Sequence, residues 1–257
     1  MLALVRAQRP LVHNITNLVT MSLVAGAELA VGGRSPVMSA DPSEASEAAA
    51  ACDALLLNLG TLTPAWVPSM LHAARVARAR GRPVVLDPVA VGGSTLRRTV
   101  ADTLLGSDLV TAVKGNASEM VCLGGGPALP GTAAQDGLDG AAYTYQVARR
   151  CGIIAICTGA IDLVTDGEHT FEVHNGSPLQ ARAVGTGCLA GGLLAVFLAV
   201  EASLVGAACA LAVAGLAAQE AAARSAGPGS LLPAMLDALH AMQPEAASLG
   251  ARINPVR

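Results

Sequence analysis

The chain has 257 residues and a formal net charge of −3; it is 53% hydrophobic, 14% charged and only 2% aromatic. That length suits one large domain or two small ones, and the absence of basic blocks excludes the electrostatic footprint of a nucleic-acid binder, leaving a small molecule as the expected partner. The six cysteines form no CxxC and no Cys/His set with zinc spacing, and the apolar part of MLALVRAQRP is too short for a signal peptide, so a reduced, cytoplasmic protein with mostly core cysteines is expected.

In chain order, LVTMSLVAGAELA (18–30) reads as a helix with Asn17 as its N-cap, and SEASEAAAAC (43–52) as a short alanine-rich helix. ALLLNLGTL (54–62) is a buried strand that stops at Asn58. PAWVPSMLHAARVARAR (64–80) carries proline early, arginine late and Gly81 beyond its end, all helix-boundary signals, with Pro68 confined to the first turn. PVVLDPVAVGG (83–93) is a strand ending at Asp87-Pro88, and LVTAVKGNASEM (109–120) is a strand, a turn at Lys114-Gly115 and a helix. GAAYTYQVARR (140–150) is helical. GIIAICTGAIDLVTDG (152–167) gives a strand, a loop at Thr158-Gly159, a second strand and a hairpin turn at Asp166-Gly167, with EHTFEVHNG (168–176) returning. After Cys188 the chain reads as almost wholly helical. Mean hydropathy is +0.52, so a membrane span has to be weighed. The run after Cys188 stops at Glu201, and LVGAACALAVAGLAA meets Gln219 and Glu220, both short of the ~20 clean residues a bilayer requires.

Apolar strands alternating with helices predict an α/β fold, one domain over residues 1–257, around a mostly parallel sheet with helices on both faces. Ligands of such sheets sit at the carboxyl ends of the strands. Those ends carry Asn58, Asp87, Lys114 and Thr158.

GTGC (185–188) is a glycine-rich turn entering a helix, so free N–H groups and the helix dipole make an anion site, in whose field Cys188 would favour thiolate. A tight turn with a small buried cysteine explains the same residues. Asp87 could hold a magnesium-bound water, or simply cap a turn before proline. Asn116 and Glu119 have capping-box spacing; Glu119 could equally be a second carboxylate near a metal, with Lys114 on phosphate. A Cys188–His13 nucleophile pair depends on proximity in space. The chain has no GxxxxGK[ST] and no GxGxxG after a first strand.

PLVHNITN (10–17), SPVM (35–38), LLNLGTL (56–62), LDPVAVG (86–92), KGNASE (114–119), TG followed by VTDG (158–167), VGTGC (184–188) and GPGS (227–230) occur in order, over nearly the whole chain. Together they resemble the hydroxyethylthiazole kinases. The resemblance implies a ribokinase-like fold and transfer of the γ-phosphoryl group of ATP, with Mg²⁺, to 4-methyl-5-(2-hydroxyethyl)thiazole in thiamine biosynthesis. It also implies a homotrimer with active sites at subunit contacts. Met38 and Gly185 would contact the thiazole with Asn17 close by; Lys114, Thr158 and Gly187 would contact ATP; Asp87 and Glu119 would serve phosphate and metal. Cys188 would stand where related sugar kinases carry an aspartate base, which predicts a slow enzyme, because a thiol is less ionised at neutral pH.

The chain departs from that pattern in three places. Lys114, the one lysine among sixteen basic residues, stands where the family usually has arginine, Ala160 stands where TGE is common, and the stretch before Pro10 is short. Rival readings are another small-alcohol kinase, a nicotinamide-hydrate dehydratase of the same fold, a non-catalytic binding module and a cysteine hydrolase. Cys188 argues against the dehydratase, which normally has aspartate there.

Overall fold

The computed structural model describes residues 1–128 and 138–256. A single sheet of nine strands crosses it, in the order β2-β1-β3-β4-β5-β6-β7-β8-β9. The parallel part consists of β2 (Val37–Met38), β1 (Val12–Ile15), β3 (Ala54–Asn58), β4 (Val84–Asp87), β5 (Ala112–Asn116) and β6 (Ile154–Thr158). The antiparallel flank is β7 (Asp162–Thr165), β8 (Thr170–Val173) and β9 (Ile253–Val256).

The helices cover both faces, and the strand side chains alternate between two cores. Leu55, Leu57, Leu86 and Val113 pack toward α3 (Ala45–Ala51), α4 (Trp66–Ala79), α5 (Thr95–Gly106), α6 (Ala117–Leu123) and α7 (Gly140–Cys151). Leu56, Val85, Ala112 and Ile156 face the other way. On that side lie α1 (Leu2–Gln8), α2 (Met21–Val31), α8 (Thr186–Val200), α9 (Leu204–Arg224), α10 (Pro228–Ala241) and α11 (Pro244–Gly250). Burial on both faces is why these strands read as unbroken apolar runs rather than alternating ones.

Most predicted elements stand within a residue or two of their expected bounds, and Pro68 does lie in the first turn of α4. Three expectations change. Helix α2 starts at Met21, not Leu18, because the Asn17 side chain accepts from the Val19 and Thr20 N–H groups and closes a turn before the helix. Lys114 and Gly115 are strand residues, and the break comes at Asn116, whose reciprocal capping box with Glu119 starts α6. The chain after Cys188 is almost wholly helical, as expected, and finishes in a strand: Ile253–Val256 closes the sheet edge, where Pro255 removes no central ladder bond. The last apolar run continues through Gln219 and Glu220 to Arg224, making a helix long and apolar enough by composition to cross a membrane. Most of it is buried, chiefly against α8 and α10.

Helix α8 is almost entirely buried and passes close over the strands. Gly192 lets it lie against Glu28 of α2: a Cβ there would stand 3.0 Å from Glu28 Oε1. Glu28 is 1% exposed; its Oε2 accepts from Asn14 Nδ2 at 3.0 Å, and Oε1 has no partner among the described residues. Burial raises its pKa well above 4.5, against the weaker pull of Asn14. The folded chain therefore holds a proton here that the unfolded chain releases above its ordinary pKa, and stability falls as pH rises from there toward the folded pKa. Glu28→Gln keeps the shape and removes the titration. The melting temperature of this variant is expected to exceed that of the unsubstituted chain at about pH 8, with the gap closing toward about pH 4; parallel curves at all pH values would show that Glu28 is not the titrating group.

Candidate active site

The parallel strands β3, β4, β5 and β6 end side by side, and their register puts Asn58 opposite Asp87 and Asn116 opposite Thr158. The N-terminus of α8 comes down onto this row. Its first residue follows Gly185 at φ +106°, a left-handed conformation that favours glycine, and a Cβ there would also meet Leu23 and Thr20 at 2.9 Å. No side chain caps α8, so its first-turn N–H groups are available to a ligand. One turn on, Gly191 makes room for Asp87: a Cβ at 191 would stand 3.2 Å from Asp87 Oδ2.

These elements enclose a pocket of about 340 Å³. Asn17, Asp87, Lys114, Glu119, Thr158, Gly187 and Cys188, all singled out in the sequence, line it. Gly185 is not on the wall itself but forms the turn between two wall residues, Val184 and Gly187. Met38 is not at the pocket; it lies on the edge strand β2, paired with Asn14. His13 does not meet Cys188: its Nε2 is bonded to the Ser39 carbonyl at 2.8 Å, and it lies on the opposite face of β1 from Asn14. The nucleophile pair is therefore not formed.

At the centre is a buried ion pair. Lys114 Nζ stands 3.3 Å from Asp87 Oδ1, with side chains only 4% and 2% exposed. Asn58 Nδ2 donates to the other oxygen, Oδ2, at 3.0 Å. Burial works against the lysine's charge, but Asp87, then Glu119 and Cys188, overcome it and raise its pKa, so Lys114 is an ammonium. Burial also pushes the Asp87 carboxyl up, against Lys114 and Asn58. With an ammonium on one oxygen and an amide donor on the other, Asp87 is the carboxylate of the pair.

Cys188 sits in an amide cradle. Asn17 Nδ2 and Asn58 Nδ2 each lie 3.4 Å from its sulfur. Asn17 in turn donates to Asn58 Oδ1 at 3.0 Å, while its own Oδ1 accepts from Thr20 Oγ1 at 3.1 Å. The expected thiolate is not favoured. Burial, then the Asp87 charge, raise the Cys188 pKa, and the smaller opposing effects of Thr20, Lys114 and Asn58 do not reverse this. A helix N-terminus lowers a thiol pKa when solvent also supports the anion; here desolvation and a neighbouring carboxylate win.

Glu119 accepts from Ala90 N–H at 2.9 Å with Oε1 and from Asn116 N–H at 2.8 Å with Oε2. Burial and then Asp87 raise its pKa to about 7, against Lys114 and the two backbone donors. Among the described residues no group of three or more His, Cys, Asp or Glu forms a metal cluster. A magnesium ion takes one or two carboxylates and fills its remaining positions with water and phosphate oxygens. Two carboxylates in one pocket, one of which (Asp87) raises the pKa of the other, with each oxygen keeping a free lone pair, fit that mode.

Several wall residues carry no role in the sequence reading, among them Thr20, which supports Asn17; Arg97, whose Nη1 donates to the Val89 carbonyl at 3.3 Å; and Val184, 75% exposed at the rim. Asn58 was visible as a polar strand end, but its double link to Asp87 and Cys188 was not. The signal for Arg97 was faint: it is the third residue of a helix capped by Ser94, directly after the Asp87 turn.

The hydroxyethylthiazole kinase family profile matches residues 2–245. A hydroxyethylthiazole kinase of Desulfosudis oleivorans is 46% identical over 244 residues, covering 92% of this chain and 88% of that protein. The thiamine biosynthesis bifunctional protein ThiM/ThiE of Symbiobacterium thermophilum is 47% identical over 91% of this chain, which spans 52% of that longer protein. The solved structure of the hydroxyethylthiazole kinase protein of Pyrococcus horikoshii OT3 superposes with TM-score 0.91 at 37% identity, covering 100% of this chain and 97% of that one. A ribokinase-like superfamily protein of Enterococcus faecalis, 13% identical with TM-score 0.66 over 93% of this chain and 94% of its own, shares the fold. Sequence and structure agree over almost the full length, and the chain belongs to the hydroxyethylthiazole kinase family.

Proposed function

We propose that this chain transfers the γ-phosphoryl group of ATP to the hydroxyl of 4-methyl-5-(2-hydroxyethyl)thiazole, as a step of thiamine biosynthesis. The observation that carries the reading is the single pocket in which the uncapped turn of α8 faces Asp87, Lys114, Glu119 and Thr158. The first-turn N–H groups of α8 bind the transferred phosphoryl oxygens, with Gly187 allowing close approach. Thr158, at the end of β6, and Lys114 lie on the nucleotide side. Asp87 and Glu119 would hold Mg²⁺, which when bound neutralises charge on the phosphate oxygens.

Cys188 faces the acceptor alcohol. Its two amide donors fix the sulfur, and as charge leaves the alcohol they and Lys114 support the developing thiolate. Phosphoryl transfer demands little of a base before the transition state, so a weakly ionised thiol positioned this way suffices. Asn17 shapes the acceptor side. Met38 and Gly185 contact the thiazole in this reading, and Met38, which is at the sheet edge rather than the pocket of its own chain, does so from a neighbouring copy in a homotrimer. The exposed Leu18, Val19 and Val184 around the mouth support such a cover.

Three measurements test this reading. ADP release in the presence of ATP, Mg²⁺ and the thiazole alcohol is expected from the unsubstituted chain, retained or raised by Cys188→Asp, and lowered roughly a hundredfold by Cys188→Ala. Equal turnover in all three leaves the kinase and reduces Cys188 to packing; folded protein that binds ATP without thiazole-dependent release rejects the substrate. Met38→Ala is expected to raise the thiazole KM about tenfold at unchanged ATP KM, as loss of a buried apolar contact does; equal changes in both constants would contradict the assignment. Lys114→Met strands the Asp87 carboxylate and is expected to cost about 3–5 kcal/mol in urea unfolding, most of it recovered in the Asp87→Asn/Lys114→Met double variant. Additive losses would show that the two groups do not act as a pair.

A further inference from the structure

Four charged side chains line the pocket, and three of them have their charge answered inside the protein. Asp87 and Lys114 answer each other, and Glu119 receives two backbone N–H groups. The fourth, Arg97, does not fit this scheme. It stands in the first turn of α5, half-buried, and among the described residues its side chain has one hydrogen bond, Nη1 to the Val89 carbonyl, and no carboxylate within ion-pair distance. Its neighbour Arg98 shows the contrast: its Nε is paired with Asp102 and its Nη1 contacts Cys122 Sγ.

A guanidinium presents five N–H donors in a rigid fork that matches two oxygens of a phosphate. Arg97 gives one donor to the loop that follows Asp87 and leaves the rest without an acceptor at the wall of a pocket that also contains Gly187 and the uncapped turn of α8. Partial burial makes an unanswered charge costly to keep. The bond to Val89 also sets the orientation of the fork, so little side-chain entropy remains to be lost when a ligand arrives. Lys114 already has its charge answered by Asp87, so a second cation at the phosphates adds charge that Lys114 does not supply.

We propose that Arg97 is a phosphate-binding residue of this site and grips the terminal phosphates of ATP. The assignment rests on the kinase reading and adds to it a named group and a named part of the substrate. The same chemistry would suit the phosphate of the phosphorylated thiazole, so the test has to separate donor from product.

The experiment is calorimetric titration of the full chain and of Arg97→Ala, Arg97→Gln and Arg97→Lys with a non-hydrolysable ATP analogue, inorganic tripolyphosphate, adenosine and the thiazole phosphate, each with Mg²⁺. Loss of a charge-assisted, forked contact is expected to weaken the ATP analogue and tripolyphosphate about ten- to hundredfold in Arg97→Ala and Arg97→Gln, with partial recovery in Arg97→Lys. Adenosine affinity and thiazole KM are expected to stay within about twofold, since neither ligand presents a phosphate to the fork. An equal loss for adenosine and for the ATP analogue would mean that Arg97 only braces the Val89 loop, and would overturn the proposal. So would unchanged affinity for the analogue, or a loss confined to the thiazole phosphate. If the unsubstituted chain binds adenosine but neither the analogue nor tripolyphosphate, the kinase reading falls and the proposal with it.

Discussion

The site is organised by one buried ion pair, Asp87 with Lys114, held at 3.3 Å where two neighbouring parallel strands end. Neither charge survives alone at that depth, because a lone buried ion costs several kcal/mol. Everything around the pair answers it. Asn58, in register with Asp87 on the next strand, supplies the donor for the second oxygen. Gly191 lets α8 lie close enough to shut out water. Glu119 adds a second negative charge that raises the lysine pKa further. The pair at the centre of the pocket is close to neutral in itself, so the fields left in the pocket come from the N-terminus of α8, Glu119 and Arg97.

The strand ends explain how much of this was legible in the sequence. In a parallel sheet buried on both faces, an apolar run must stop where the chain leaves the core, and the first polar residue after it marks the carboxyl edge. Asn58, Asp87 and Thr158 are located by that rule alone, and GTGC by the chemistry of a glycine turn entering a helix; for Lys114 the rule stops two residues short, because β5 runs on to Asn116. The rule fails where polar residues interrupt a strand. His13 and Asn14 break the run in PLVHNITN, and β1 lies there nonetheless, because His13 finds a carbonyl and Asn14 finds Glu28. Arg97 escaped because long-range pairing decides its meaning: an arginine on a short helix reads as a solvated charge until the structure shows that, among the described residues, no carboxylate meets it.

The cysteine shows how one local signal can be outweighed. First-turn position predicts a stabilised thiolate, yet burial and the Asp87 charge hold Cys188 as a thiol. The same neighbours limit the consequence. The two amides that touch the sulfur are donors and cannot reverse roles, because each amide oxygen is already an acceptor: Asn17 Oδ1 for Thr20 and two backbone N–H groups, Asn58 Oδ1 for Asn17 and the Gly60 N–H. The sulfur therefore always faces N–H groups, a surrounding that suits a thiolate better than a thiol. Burial sets the resting state, and in the proposed transfer the cradle would stabilise the thiolate.

That chain of amides has a further consequence. It runs from Thr20, beside the acceptor turn, through Asn17 and Asn58 to Asp87 and Lys114. Its direction is fixed at one end by backbone N–H groups and at the other by a carboxylate that can only accept. The Asn58 amide nitrogen carries two N–H donors, so one Nδ2 serves Asp87 and Cys188 at once and ties the carboxylate and the sulfur to one rigid group. The buried carboxylate and the thiol thus share one amide group, which fixes where each stands relative to the other.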